Sequence, residues 1–126
     1  MSCNSCSGDQ TRNTVIYACS GAADVGDIAD RCARRLAREG AGKMSCATGV
    51  GAGVQSLRNT ALSASRILAV DGCATRCVER ALNETGAKDF IHIELGSEGF
   101  PKGQSPATDE NIERALGILR ERLAAV

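Results

Sequence analysis

The sequence predicts an α/β fold of three layers: a four-stranded, mainly parallel sheet with helices on both faces. Two observations predict it. Short β-prone runs alternate with stretches of helical period along the chain, and that alternation implies parallel strands joined by crossover helices. Cys19, Cys46 and Cys73 also recur at a constant interval of 27 residues (19 to 46, 46 to 73), about one strand plus one helix.

The elements follow in order. Residues 14–18, Thr-Val-Ile-Tyr-Ala, form a β-prone run that ends at Cys19. A Ser-Gly-Ala-Ala-Asp turn opens the first helix, with Ser20 or Asp24 as its expected cap. That helix carries Val25, Ile28, Ala29, Cys32, Ala33 and Leu36 at i, i+3, i+4, i+7 spacing. Gly40-Ala-Gly42 stops it. Lys43-Met-Ser then leads into Cys46, and residues 47–53 read as a glycine-rich turn before a helix with Val54, Leu57 and Ala61. Residues 66–70, Arg-Ile-Leu-Ala-Val, read as a buried strand. Residues 74–82 read as a helix that places Cys73 at the strand end and Cys77 in the first turn. A fourth strand is expected over 89–95, then a long loop over 96–107 that holds both prolines. Thr108-Asp-Glu opens a last helix with Ile112, Ala115, Leu116, Leu119 and Leu123.

Bulk properties narrow the function. At 126 residues the chain is long enough for one domain with a real core. Residues 14–126 are expected to be a single α/β metal-binding domain, preceded by a flexible Cys-x2-Cys segment over 1–13. Fifteen acidic and fifteen basic side chains cancel, and Tyr17, Phe90 and Phe100 are the whole aromatic set. Neither nucleic acid nor a membrane surface is therefore an expected partner. No apolar run approaches the roughly 20 residues that span a bilayer, and no secretion signal is visible at the amino end. A cytoplasmic location is expected.

Seven cysteines are the main clue. An odd number without an export signal argues against a disulfide framework and for metal or redox chemistry. In a parallel sheet the strand carboxyl ends share one edge, where ligands bind. Cys19, Cys46 and Cys73 would all arrive there. With strand order 2-1-3-4 their strands are neighbours about 4.8 Å apart, close enough for sulfurs to meet a tetrahedral metal with Zn–S bonds near ~2.3 Å. Cys77, four residues after Cys73 on one helix, supplies a fourth sulfur. Helix amino ends also favour thiolates.

Plainer readings stand beside these. Cys32 lies in the middle of an apolar stripe and reads as a small core residue. Cys3 and Cys6 form half of a common zinc motif and are additional candidate ligands, or else a redox or transfer pair. His92 alternates with Phe90 and Glu94 on one strand face and reads as a strand residue. Arg31, Arg34, Arg35 and Arg38 read as the solvated face of the first helix. Gly49, Gly51 and Gly53 suit either an anion nest or a close chain passage. No nucleotide-binding glycine motif is present. A C-x5-R phosphate loop fails as well, because Val25, Ala52 and Glu79 stand where it needs arginine.

Residues 17–26 (Tyr-Ala-Cys-Ser-Gly-Ala-Ala-Asp-Val-Gly), Lys43-Met-Ser-Cys46, Asp71-Gly-Cys73 with Cys77, and residues 99–106 (Gly-Phe-Pro-Lys-Gly-Gln-Ser-Pro) together resemble the DGC-domain family. The resemblance runs from about Cys3 to the carboxyl end. It implies zinc held by Cys19, Cys46, Cys73 and Cys77. A closed four-thiolate zinc site is usually structural. Two other classes stay open: a thiol redox or transfer enzyme using Cys73/Cys77 or Cys3/Cys6, and a small iron–sulfur protein, whose cluster four thiolates also suit.

Overall fold

A computed structural model describes residues 13–126. Cys3, Cys6 and all of the expected amino-terminal segment except Asn13 lie outside the described residues. Four strands form one sheet: β1 (Thr14–Ala18), β2 (Lys43–Met44), β3 (Arg66–Asp71) and β4 (Ile91–Glu94). Every pairing is parallel and the order is β2-β1-β3-β4. Five α-helices are described: α1 (Asp24–Arg38), α2 (Ala47–Gly51), α3 (Gln55–Ser63), α4 (Cys77–Thr85) and α5 (Asp109–Ala124).

The sheet has a core on each face, which is why its central strands are apolar on both sides. Ile16, Ala18, Leu68, Val70 and Ile93 point toward α1 and α5 and pack with Ile28, Leu36, Leu116 and Leu119. Val15, Tyr17, Ile67 and Ala69 point the other way and meet Val50, Ala61, Val78 and Leu82 from α2, α3 and α4. The alternation along β1 and β3 is the two-residue period of a strand. The expected three-layer α/β fold is therefore the observed one.

Cys32 belongs to the first of these cores and has no exposed surface. Its Sγ donates weakly to the Ile112 carbonyl at 3.7 Å. Burial pushes its thiol up to about 12, so it stays protonated at neutral pH. Cys32→Ala should leave metal content and surface-thiol reactivity as in the wild type and cost about 1 kcal/mol, the scale of a small core truncation. Elemental analysis and chemical denaturation of the variant check both halves. The arginines of α1 form the expected solvated face. Arg31 pairs with Asp27 at 2.8 Å and Arg34 with Asp30 at 2.9 Å, each one turn apart.

Several element boundaries differ from the sequence expectation. Residues 47–51 form the short helix α2 in place of an open turn, with Cys46 Sγ accepting from the Gly49 N–H at 3.3 Å as its cap. Gly49 serves close passage: a Cβ there would collide with Leu57 Cδ1. The N-cap position of α1 is Ala23, without a side-chain bond, and Asp24 is the first helical residue, its carboxylate accepting from the Val25 N–H at 2.8 Å. The fourth strand is trimmed to 91–94, since Asp89 adopts a left-handed φ of 59° before it and Leu95–Glu98 winds into a 3-10 turn after it. The largest shift is at α4, which begins at Cys77 and not at residue 74.

Candidate functional site

Cys19 immediately follows β1, and Cys46 and Cys73 stand two residues beyond β2 and β3. In a parallel sheet those junctions share the carboxyl edge, so all three cysteines reach it. Each junction also continues the sheet pairing: Cys19 N–H donates to the Val70 carbonyl at 2.9 Å and Ser45 N–H to that of Ile16 at 3.0 Å. From β1 the chain leaves through α1 on one face, and from β3 it leaves through α4 on the other. The crevice of an open α/β sheet opens where such connections diverge. Cys19 and Cys73 flank it.

The turn between β3 and α4 is built around Asp71, which is 1% exposed. Its carboxylate accepts from the Val78 N–H at 2.9 Å and the Glu79 N–H at 3.1 Å. It also faces His92 Nε2 at 2.9 Å, a pairing that places the ring hydrogen on Nε2. The other ring nitrogen lies 3.7 Å from Glu79 Oε2. Asp71 thus acts as a remote cap: it satisfies amides that α4 leaves unpaired at its start, and the helix begins where that carboxylate reaches. Arg76 enters the helix in the left-handed region at φ 54°, a conformation few non-glycine residues adopt. Its guanidinium is braced by Glu94 at 3.3 Å and Glu79 at 3.4 Å.

This turn corrects the helical account of the cysteine pair. Residues 73–76 are not helical, so Cys73 and Cys77 do not sit one turn apart on a helix face. Cys77 is the first residue of α4. The Cys73 thiol is held below its usual range first by hydrogen bonds from the Thr75 hydroxyl and amide, with Lys102 adding a smaller attraction. The lowering expected at this cysteine is present, but it comes from a local turn.

Opposite the turn lies the segment before α5. Phe100 is fully buried beneath the Arg114 guanidinium, 4.1 Å from its ring centre, and Ser105 is 3% exposed. Between these anchors, Asp24 at the start of α1 accepts from the Gly103 N–H at 2.9 Å and the Ser105 N–H at 2.8 Å. Those bonds hold the Asp24 carboxyl below its ordinary value. Their contribution is complete above the normal aspartate range and is lost as pH falls through the lowered folded value. The segment carries Lys102, whose Nζ donates to Cys73 Sγ at 3.9 Å.

The five described cysteines are all free thiols. Cys46 and Cys77 are exposed, Cys19 and Cys73 half-buried, and Cys32 buried. Cys19 packs on the core beneath α2–α4, whereas Cys73 packs on the core beneath α1 and α5. The two thus lean toward opposite faces of the sheet. Their chemistry suits a thiophilic cation, yet among the described residues no three His, Cys, Asp or Glu side chains are grouped closely enough to hold one. The donor set is present at one edge without being assembled into a coordination sphere. No helix among the described residues is long and apolar enough to cross a membrane.

Sequence reasoning gave Asp24 only the role of a helix cap and Lys102 only a place in a motif, and it took His92 for a plain strand residue. Asp71 entered it solely as part of a motif. An acid directly after an apolar strand, three residues or more before a helix, is the signal that would have found Asp71. Asp24 and Lys102 carry no local signal, because their partners lie 81 and 29 residues away.

Comparison with known proteins is consistent with this architecture. The chain is 35% identical over 109 residues to the Pseudomonas aeruginosa protein called anaerobic and virulence modulator AnvM, covering 86% of this chain and 83% of the relative. No solved structure matches it. The family model for the DGC domain matches residues 15–118, from the first strand into the last helix and across every junction described above. The chain belongs to the DGC-domain family.

Proposed function

We propose that this domain binds a thiophilic metal ion, zinc first, through Cys19, Cys46, Cys73 and Cys77, with Cys3 and Cys6 as additional donors. One observation carries the reading: three successive strand–helix junctions bring four free, accessible or half-accessible thiols to one sheet edge, while Cys32, the one buried cysteine among the described residues, is kept apart. Four thiolates gathered without a cation would repel one another, and a divalent ion offsets that charge. Because the sulfurs are not grouped beforehand, binding requires the junction loops to close, and metal binding and local folding become coupled. A relative called an anaerobic and virulence modulator accords with a site whose occupancy depends on reduced thiols.

A second reading, thiol exchange at Cys73, is favoured by a specific feature: the Thr75 bonds that hold this thiol low. A lowered thiol is the better nucleophile near neutral pH.

Protein purified without oxygen should contain close to one zinc per chain by elemental analysis and be colourless, whereas a brown preparation would indicate an iron–sulfur cluster. Cys73→Ser should release most of the metal and lower the melting temperature of the metal-loaded protein. Retention of a full equivalent by this variant, or a metal-free wild type with reactive thiols, would replace the metal reading with thiol exchange.

A further inference from the structure

We propose that Lys102 is a specificity-determining residue at the thiol edge: its ammonium, presented to Cys73 by a strap that Asp24 clamps, selects anionic partners for that sulfur. The inference rests on the reading that the edge thiols are the working groups, and it names the charge class of what reaches one of them. It does not depend on which metal binds.

The strap is a built feature. Phe100 buries one end and Ser105 the other. The Ser105 hydroxyl closes the loop by donating to the Pro101 carbonyl at 2.8 Å. The two amide bonds to Asp24 tie its middle to the start of α1. Lys102 sits within this closed loop and reaches Cys73 Sγ at 3.9 Å. Among the described residues it pairs with no carboxylate, so its charge is uncommitted. The other charges near Cys73 are engaged: Arg76 with Glu94 and Glu79, and Asp71 with α4 and His92.

With Nζ this close to the sulfur, a reagent bound for Cys73 brings its carboxylate to about 4 Å from the ammonium, and that separation is worth about five-fold in favour of an anionic over a neutral reagent in water. The matching partner is a carboxylate-bearing disulfide. With a disulfide, the Cys73 thiolate attacks one sulfur, the S–S bond breaks, a mixed disulfide forms, and the second sulfur leaves as thiolate. The disulfide is the oxidant, and nothing else is consumed.

The test uses two alkylating probes of similar size, iodoacetate (anionic) and iodoacetamide (neutral), on the reduced, metal-free full chain. In each, the thiolate displaces iodide from a CH2 group, so the ratio of the two rates cancels changes in thiolate fraction. Tryptic cleavage after Arg66 and Arg76 isolates Cys73 from every other cysteine, and mass spectrometry reads its modification alone. The ratio of iodoacetate to iodoacetamide rates at Cys73 should fall about five-fold in Lys102→Gln and further in Lys102→Glu. It should be retained in Lys102→Arg. Asp24→Asn should lower it partway with Lys102 intact, marking Asp24 as a positioning residue, and added salt should erase the wild-type preference. An unchanged ratio in Lys102→Gln overturns the proposal even if zinc binds, and so does a Cys73 that neither reagent modifies. A lowered ratio in a protein that binds no metal leaves it standing and removes the metal reading instead.

Discussion

Gly72→Ala should destabilise the domain by about 3 kcal/mol and lower its melting temperature by about 10 °C. A Cβ on Gly72 would stand 2.8 Å from the Gly26 amide nitrogen, 2.8 Å from the Val25 carbonyl carbon and 2.9 Å from Val25 Cγ2. Two of these are backbone atoms of α1, which cannot rotate aside as a side-chain tip can. Gly26 is wedged in turn, since a Cβ there would meet the Gly21 carbonyl oxygen at 2.9 Å. The β1–α1 junction, α1 and the β3–α4 turn are therefore stacked backbone to backbone at the sheet edge. The middle residue of Asp71-Gly-Cys73 is a packing requirement. Thermal and urea unfolding of the variant give the measurement. A loss below about 0.5 kcal/mol, the ordinary scale of a surface change, would mean the two junctions are not in contact as described.

Asp71→Ala should cost a similar amount, about 3 kcal/mol, by a different mechanism. It strips the acceptor from two backbone amides of α4 and from His92 in a nearly dry setting. Hydrogen bonds to a charged group contribute about 1.5–3 kcal/mol each, and buried donors left unpaired are penalised. Hydrogen exchange at the Val78 and Glu79 amides should quicken well beyond the change at the centre of α5. Asp71→Asn keeps one carbonyl acceptor but turns an NH2 group toward a donor, so it should fall between wild type and Asp71→Ala. Because Asp71 anchors the start of α4, Cys77 should become more reactive toward neutral alkylating reagents in both variants. If α4 amides exchange at the wild-type rate in Asp71→Ala, the remote cap is not what starts this helix.

These effects separate what was legible in the chain from what was not. The alternation of β-prone and helical stretches, with cysteines 27 residues apart, determined the layers and the shared edge to which the thiols come, whereas the strand order entered only as a condition that the structure met. All of that depends on local period and on the rule that parallel strands align their carboxyl ends. The isolation of Cys32 was equally readable, because a thiol within a helical apolar stripe has nowhere else to go.

Tertiary structure decided the details of the site. The helix expected from residue 74 starts at Cys77 because a buried carboxylate on the preceding strand chooses which amides to satisfy, and His92 on the next strand holds that carboxylate. Residue propensity contains no such information. The placing of Lys102 beside Cys73 depends on Phe100 and Ser105 being buried and on Asp24 reaching across 79 and 81 residues of chain. A sequence pattern shows which groups lie on one face of one element, but contacts between distant loops exist only once both cores have packed and brought those loops to the same edge.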